Sequence, residues 1–469
     1  MSGSRKANLL QLVFLIYGVC AAGPYGLEEM VSTSGPGMAL LLLLVMPFLW
    51  GIPIALVTAE LASAFPVEGG YYRWSRMAFG DFWAFQCAWW AWSANMVNGA
   101  VYAVLFTDYL QAWDPELKLM TPVAEPLYHL AAAIPRLGPW LFPDLHTFAD
   151  WFLCLLLVWS LTWINMRGIR IVGDSSIVMN VVLLVPFAII TVIGLLEWKF
   201  NPLSPFVAPG LTHTHAFVEG ILISIWLYSG YEMLSTASEE IENPRRTFPI
   251  ALAVAVPMVA LSYAVPTFAA LAGLGSWEKW APQYFVGVGQ ALGGAWGNWL
   301  GGWVLLGGLL SNAILMNVNI LSISRIPYAM ALDRFLPRWL GKASPITGAP
   351  IASLLVGGLV YSLLTLRGFT DLINIFAFLQ AANYIMIYLS MLKLRAARPD
   401  APRPFKIRGG RLGMVLVVVP PFLLSGLAIW KGDPTTVKTG LAAVAIGPFA
   451  FLLARSMRRR TAAASPAAR

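Results

Sequence analysis

LLQLVFLIYGVCAAGPYG, residues 9–26, is an apolar run that ends in Gly23-Pro24-Tyr25-Gly26. The run reads as a membrane helix, and its last four residues interrupt it, because Pro lacks an amide hydrogen and crowds the preceding turn. Main-chain groups freed within hydrocarbon persist only where they face protein or a wet cavity. A second long apolar segment, starting near Ala216, carries a fault of the same kind at Tyr228-Ser229-Gly230-Tyr231. Paired interruptions at corresponding places in two halves of a membrane chain mark a carrier whose solute sits at the breaks. The fold expected is all-α and membrane-embedded, with discontinuous first and sixth spans.

Composition supports that reading along the whole length. Apolar residues make up 58% of the 469 and charged residues 12%, about half the charged share of a soluble domain. Apolar runs of bilayer-crossing length place twelve spans, near 9–33, 37–63, 82–110, 148–166, 174–197, 216–238, 248–272, 296–324, 350–367, 370–392, 412–430 and 436–454. The domain plan expected is an N-terminal arm, 1–8, then five spans over 9–197 repeated with inverted orientation over 216–392. Two further spans, 412–454, and a tail, 455–469, complete it. The repeat rests on hydropathy and break position, since the halves share no evident residue identity. From Arg458 the tail is Ala-rich and basic and is expected to lack structure. Segment 111–147 fits a re-entrant or surface helix around Leu127–Ile134, and 273–295, rich in Gly and Trp, fits a cover over an entrance.

The formal charge of +8 orients the chain and does not imply nucleic-acid binding. With the N-terminus inside, all Lys and Arg but seven fall on the cytoplasmic side; the seven are Lys118, Arg136, Lys199, Lys279, Arg367, Lys431 and Lys438. This positive-inside bias puts both termini in the cytoplasm, at the cell membrane. Cys20, Cys87 and Cys154 lie in apolar spans, so no disulfide framework is expected. A secretory signal ending at Ala21-Ala22 is the rival reading of residues 1–22, although the later spans already supply targeting.

Chemistry concentrates at the two breaks. After Gly26 a short helix restarts over Leu27–Ser32, and its bare amides and positive dipole end suit a carboxylate. Gly23 and Gly26 permit close approach of a ligand to the backbone, and the exposed carbonyls before the break can accept from an ammonium group. Together they describe an α-amino acid; a plain proline kink is the competing reading. Tyr228, Ser229 and Gly230 supply the second half-site, followed by Glu232. Burial disfavours an ionised carboxyl and a neighbouring cation favours it, so Glu232 is the expected proton-coupling residue. A structural hydrogen bond to freed backbone is its alternative role. Trp226 stacks on a ligand, seals the cavity, or simply packs.

Polar residues inside other spans face the bundle interior, where ligand contact competes with helix bridging. Asn95, Asn98 and Tyr102 share one helical face. Span eight has Ser311, Asn312, Asn317, Asn319 and Ser322, and span ten has Gln380 and Asn383. Asn98 and Asn383 are the expected substrate contacts among them. Glu28 and Glu29, just past the first break, face either a vestibule or solvent and favour the positive helix end. No HExxH helix, GxSxG elbow or P-loop occurs, and His129, His146, His213 and His215 lie in loops or at span edges. No metal, cofactor or enzymatic chemistry is expected, nor ATP drive by this chain alone.

Four ordered stretches carry a family resemblance. They are Ala59-Glu60-Leu61-Ala62 with Phe65-Pro66-Val67-Glu68-Gly69-Gly70-Tyr71-Tyr72-Arg73-Trp74, and Ser238-Glu239-Glu240-Ile241-Glu242-Asn243-Pro244 with Arg245-Arg246-Thr247-Phe248-Pro249. The third is Arg325-Ile326-Pro327-Tyr328-Ala329-Met330-Ala331 with Asp333 and Leu336-Pro337; the fourth is Arg398-Pro399-Asp400-Ala401-Pro402-Arg403-Pro404-Phe405. In that order they resemble the amino acid–polyamine–organocation superfamily, and within it bacterial relatives of plant polyamine uptake transporters, which also resemble amino acid permeases. The resemblance implies a five-plus-five inverted repeat, twelve spans, alternating access and, commonly, proton symport. It also implies that Gly23, Pro24, Tyr25 and Gly26 form the unwound helix-1 site, that Trp226 holds an aromatic gate position, and that Glu232 holds an acidic helix-6 position. In arginine/agmatine exchangers that acid is linked to proton sensing.

Two departures qualify the likeness. Asn98 stands where plant polyamine carriers tend to place an acid, which favours amino acids over polycations. Span five has no Lys, the residue some proton-coupled members use in place of a sodium ion. The function expected is secondary active, proton-coupled transport of amino acids or related organic amines. Polyamine uptake, amine exchange and a non-transporting amine sensor are the alternatives. The partners expected are a small-molecule substrate, protons and the lipid bilayer; the oligomeric state is not legible.

Overall fold

The computed structural model describes residues 7–21, 23–67, 69–134, 138, 141–167, 173–235, 241–345, 348–431 and 433–463. Arg5, Lys6, Ala22, Glu68, Arg136, Arg170, Ser238, Glu239, Glu240 and the tail beyond Ala463 lie outside the described residues. Among those described, the chain is helical, with one isolated parallel bridge between Ala7 and Ile241.

Helix α1 (Leu9–Cys20) starts from a reciprocal cap, in which Asn8 Oδ1 accepts from the Gln11 amide and Gln11 Oε1 from the Asn8 amide. It stops at Cys20, and α2 (Glu28–Ser34) begins beyond the break. Gly35 at φ 92° then turns the chain into α3 (Pro36–Ala64), which contains a π-helical turn over Pro47–Gly51. The first half continues through α4 (Gly70–Phe79), α5 (Asp81–Gln111), α6 (Thr121–Ala132), α7 (Leu145–Met166) and α8 (Gly173–Leu196).

The second half opens with α9 (His213–Leu227), capped by the Thr212 hydroxyl and ended at the second break. It proceeds through α10 (Pro244–Leu274), α11 (Tyr284–Leu292), α12 (Gly297–Ile323), α13 (Arg325–Leu332), α14 (Ile351–Leu364) and α15 (Phe369–Ala397). Helices α16 (Gly410–Lys431) and α17 (Pro434–Ala463) close the chain. Segment 111–147 thus holds a helix, α6, and 273–295 holds α11.

Eight helices among the described residues are long and apolar enough to cross a membrane. Residues such as Leu44, Phe48, Leu261, Leu423 and Phe449 are exposed on them, as a hydrocarbon-facing surface requires. Segments α1 and α9 fall short of that length because the breaks cut them, and α14 is a 14-residue apolar helix. Helix α5 carries Asn95, Asn98 and Asp108, yet it is the central post, with α12 and α15 packed along it. One expectation is corrected: the tail from Arg458 does not lose structure there, because α17 runs on to Ala463. Ala and Arg are among the strongest helix formers, so a helix already nucleated in the bundle propagates through them.

The family-like stretches serve as joints at the end of the bundle where α1 starts. Glu60, buried at the end of α3, receives both Nε (2.6 Å) and Nη2 of Arg395 from α15. The Ile407 amide donates to it at 2.9 Å, and Arg403 Nε lies 3.6 Å away. Asp333, after α13, accepts from the Tyr72 hydroxyl at 2.6 Å and from Arg76 at 3.5 Å.

Candidate functional site

The two breaks meet at the centre of the bundle. Between Cys20 and Glu28 the chain uses Gly23 (φ 103°) and Gly26 (φ 84°), a backbone region in which a Cβ is strained. At Gly26 a Cβ would also stand 2.8 Å from the Trp226 ring, so this glycine lets the first break lie against α9. The second break follows Leu227: the Tyr228 amide closes the helix on the Ser224 carbonyl, and Gly230 (φ 106°) turns the chain out. The Gly230 amide, freed from helical pairing, donates to the Tyr384 hydroxyl at 2.9 Å.

Between the breaks lies a small cavity of about 30 Å³, room for a water or two. Tyr25, Asn98, Trp226, Ser229 and Gly230 line it, joined by Asn95, Tyr102, Asn312 and Gln380. The shared face on α5 is therefore the cavity face. Asn98 links two aromatic walls: its Oδ1 accepts from Trp226 Nε1 at 2.8 Å, and its Nδ2 donates to the Tyr102 hydroxyl at 3.0 Å.

Other sequence candidates lie just behind the wall. Tyr228 donates to the Leu43 carbonyl at 2.6 Å, anchoring the second break to α3. Asn383 Oδ1 accepts from the Cys87 thiol, while its Nδ2 is buried without a hydrogen bond. Asn317 bonds to Asn165, and Asn319 accepts from the Tyr361 hydroxyl, so both bridge helices. Gly23 packs against the Tyr25 ring.

Glu232 is fully enclosed behind the second break, with both oxygens held by α15. Gln380 Nε2 donates to Oε1 at 2.9 Å, and the Tyr384 hydroxyl donates to Oε2 at 2.6 Å. Because that hydroxyl also receives the Gly230 amide, the carboxyl reads the broken backbone through one atom. Gln380 connects it to the cavity wall. Gln380 Oε1 is buried with no hydrogen bond, an acceptor available beside Glu232.

The first break differs from expectation in one respect. The amides at the start of the short helix were expected to suit a ligand carboxylate; beside them the Gly26 amide donates to the chain's own carboxylate, Glu28 Oε2, at 2.7 Å. Glu28 turns back over its own helix start and accepts from the Tyr109 hydroxyl at 2.5 Å. The other break-facing acid, Glu29, accepts from Thr370 at 2.6 Å. Tyr109 and Tyr384 escaped the sequence reading because nothing local marks a tyrosine that will meet an acid 81 or 152 residues away.

Beyond Trp226, on the α2 side, a wider cavity of about 560 Å³ opens between α2, α5, α7, α15 and the 277–282 turn. Trp226 packs edge-on against Phe369 at 5.7 Å. Since Trp226 lines the inner cavity and Phe369 the outer one, this pair stands between them.

The family model described as "Amino acid permease" matches residues 8–451. A probable polyamine transporter of Arabidopsis thaliana is 33% identical, over 92% of this chain and 84% of that protein. A polyamine transporter of Oryza sativa subsp. japonica is 31% identical, over 95% of this chain and 78% of its own length. A branched-chain amino acid permease of Bacillus subtilis is 24% identical, over 80% and 77%.

Proposed function

This chain belongs to the amino acid permease family and is an integral membrane transporter, and on that premise we propose that it is a secondary active, proton-coupled carrier of an organic amine. In this reading twelve spans work as two inverted five-span repeats plus a closing pair, with both termini in the cytoplasm of a cell-membrane protein. Substrate binds between the breaks, against Tyr25, Asn98, Trp226, Ser229 and Gly230, and Glu232 carries the coupled proton. One observation carries it: both breaks open onto the same polar cavity, and a buried carboxyl is wired to it through Gln380 and Tyr384.

The inner cavity is too small for an amino acid or a polyamine as it stands, so Trp226 has to move for substrate to enter. Its single side-chain hydrogen bond, to Asn98, and the Gly26 surface beneath it make the ring a gate between the two cavities. Alternating access then amounts to opening at Trp226 on one side and at the Glu232 side on the other. Labelled amino acids and polyamines presented to proteoliposomes should enter faster under an inward proton gradient. Equal uptake without the gradient removes the coupling, and no uptake of any amine removes the substrate class.

Polyamine carriage is the second reading, supported by the printed names of the relatives from Arabidopsis and rice. Asn98 tests the choice. Asn98→Asp keeps an acceptor for Trp226 Nε1 and adds a negative charge to the cavity wall. It should shift preference toward spermidine over a neutral-side-chain amino acid by about ten-fold, the scale of one charge-assisted hydrogen bond. Competition between the two labelled solutes measures it; an unchanged ratio takes Asn98 out of the site.

A further inference from the structure

We propose that the wide cavity outside Trp226 is a second binding site, one that captures the ammonium end of an organic cation before the central site receives it. The inference rests on the carrier reading above and specifies the charge of its substrate. Three carboxylates line this cavity: Glu29 on α2, Asp108 on α5 and Asp150 on α7. Two of them are held by neutral donors, Glu29 by the Thr370 hydroxyl and Asp150 by Gln111 Nε2 at 3.0 Å.

Asp108 is different. It is half-buried on the cavity wall, has no hydrogen bond or ion pair to another described residue, and sits within the field of Asp150, Glu29 and Glu28. A carboxyl enclosed among other carboxyls is costly to ionise until a cation stands beside it, so Asp108 is placed to take up its charge together with an arriving ammonium group.

The walls complete the recognition. Phe142, Trp151, Trp280 and Phe369 line the same space. Aromatic faces beside carboxylates bind alkylammonium groups by charge and by cation–π attraction together. The carboxylates do not converge: no group of three or more acidic, His or Cys side chains among the described residues is arranged to hold a metal ion. The cavity therefore fits an extended organic cation better than a bare metal. Arg367 is the opposing charge at its lining, 3.9 Å from Asp371 and exposed at the rim. The position of the Trp226–Phe369 pair at the floor makes this site the antechamber of the inner one.

The test uses the full-length protein and spermidine. Calorimetric titration of the detergent-solubilised wild type should find two spermidine sites per chain, and Asp108→Asn combined with Asp150→Asn should remove one. In proteoliposomes the same variant should raise the spermidine KM by about ten-fold, and Asp108→Glu should retain near-wild-type affinity. Raising salt from about 20 mM to about 300 mM should weaken wild-type capture more than that of the double variant, because added ions screen the acids.

Arg367→Gln, at the exposed rim, should act in the opposite direction and lower KM; it also serves should the acid variants not survive purification. One site in the wild type, with KM unmoved in every variant, overturns the outer site and leaves the central reading standing. No spermidine bound and no amine transported overturns both.

Discussion

Replacing Glu232 with Gln should make amine uptake indifferent to the proton gradient and lower its rate on the order of ten- to a hundred-fold. The magnitude is that of charge-assisted hydrogen bonds, about 1.5–3 kcal/mol, converted to a rate. Glutamine keeps the size of the side chain and can still meet Gln380 and Tyr384, so the bundle should fold as before. What it removes is the ability to take and release a proton at Oε2, the atom to which the Tyr384 hydroxyl donates while that hydroxyl accepts from the Gly230 amide. On the proposed reading, a proton arriving at Glu232 would displace the Tyr384 or Gln380 donor and alter how the second break is held. Uptake by proteoliposomes at a series of internal and external pH values measures the effect. If Glu232→Gln follows the gradient as the wild type does, the coupling proton rides elsewhere and the assignment falls.

Loss of Glu60 should be the most destabilising single change. Its carboxylate ties the end of α3 to Arg395, to Arg403 and to the Ile407 amide, so α3, α15 and the loop before α16 depend on one buried group. Glu60→Ala leaves two guanidinium groups and an amide facing an apolar void. Breaking a buried pair from one side costs about 3–5 kcal/mol. Thermal unfolding followed by size-exclusion chromatography should show a large fall in midpoint, whereas Glu60→Leu with Arg395→Leu should recover part of it by removing the stranded charge. A midpoint unaffected by Glu60→Ala would mean the joint contributes nothing to stability.

The breaks were readable in one dimension because their cause is local. Gly23, Pro24, Gly26 and Gly230 disturb a helix by their own covalent chemistry, and the disturbance appears where they stand. Asn95, Asn98 and Tyr102 were likewise legible as one face, since helical spacing is a property of the α5 sequence alone. The end of α17 was misjudged for the converse reason: Ala and basic composition resembles a loose tail, but a helix propagated from the bundle carries it to Ala463.

Charge pairing was not legible in the same way. Glu28 had two possible directions in the sequence, and only the packing of α5 beside α2 brought Tyr109 to it and turned it onto the Gly26 amide. Asp108 and Asp150 carry no motif; they become neighbours because α5 and α7 pack side by side at one end of the bundle.

The amino-acid order by itself determined that this is a helical membrane chain broken twice, because hydrophobicity and backbone chemistry act within a few residues. The tertiary structure decided which acids, tyrosines and tryptophans surround those breaks, because a side chain's partner across the bundle is chosen by how helices pack, a relation no local stretch encodes.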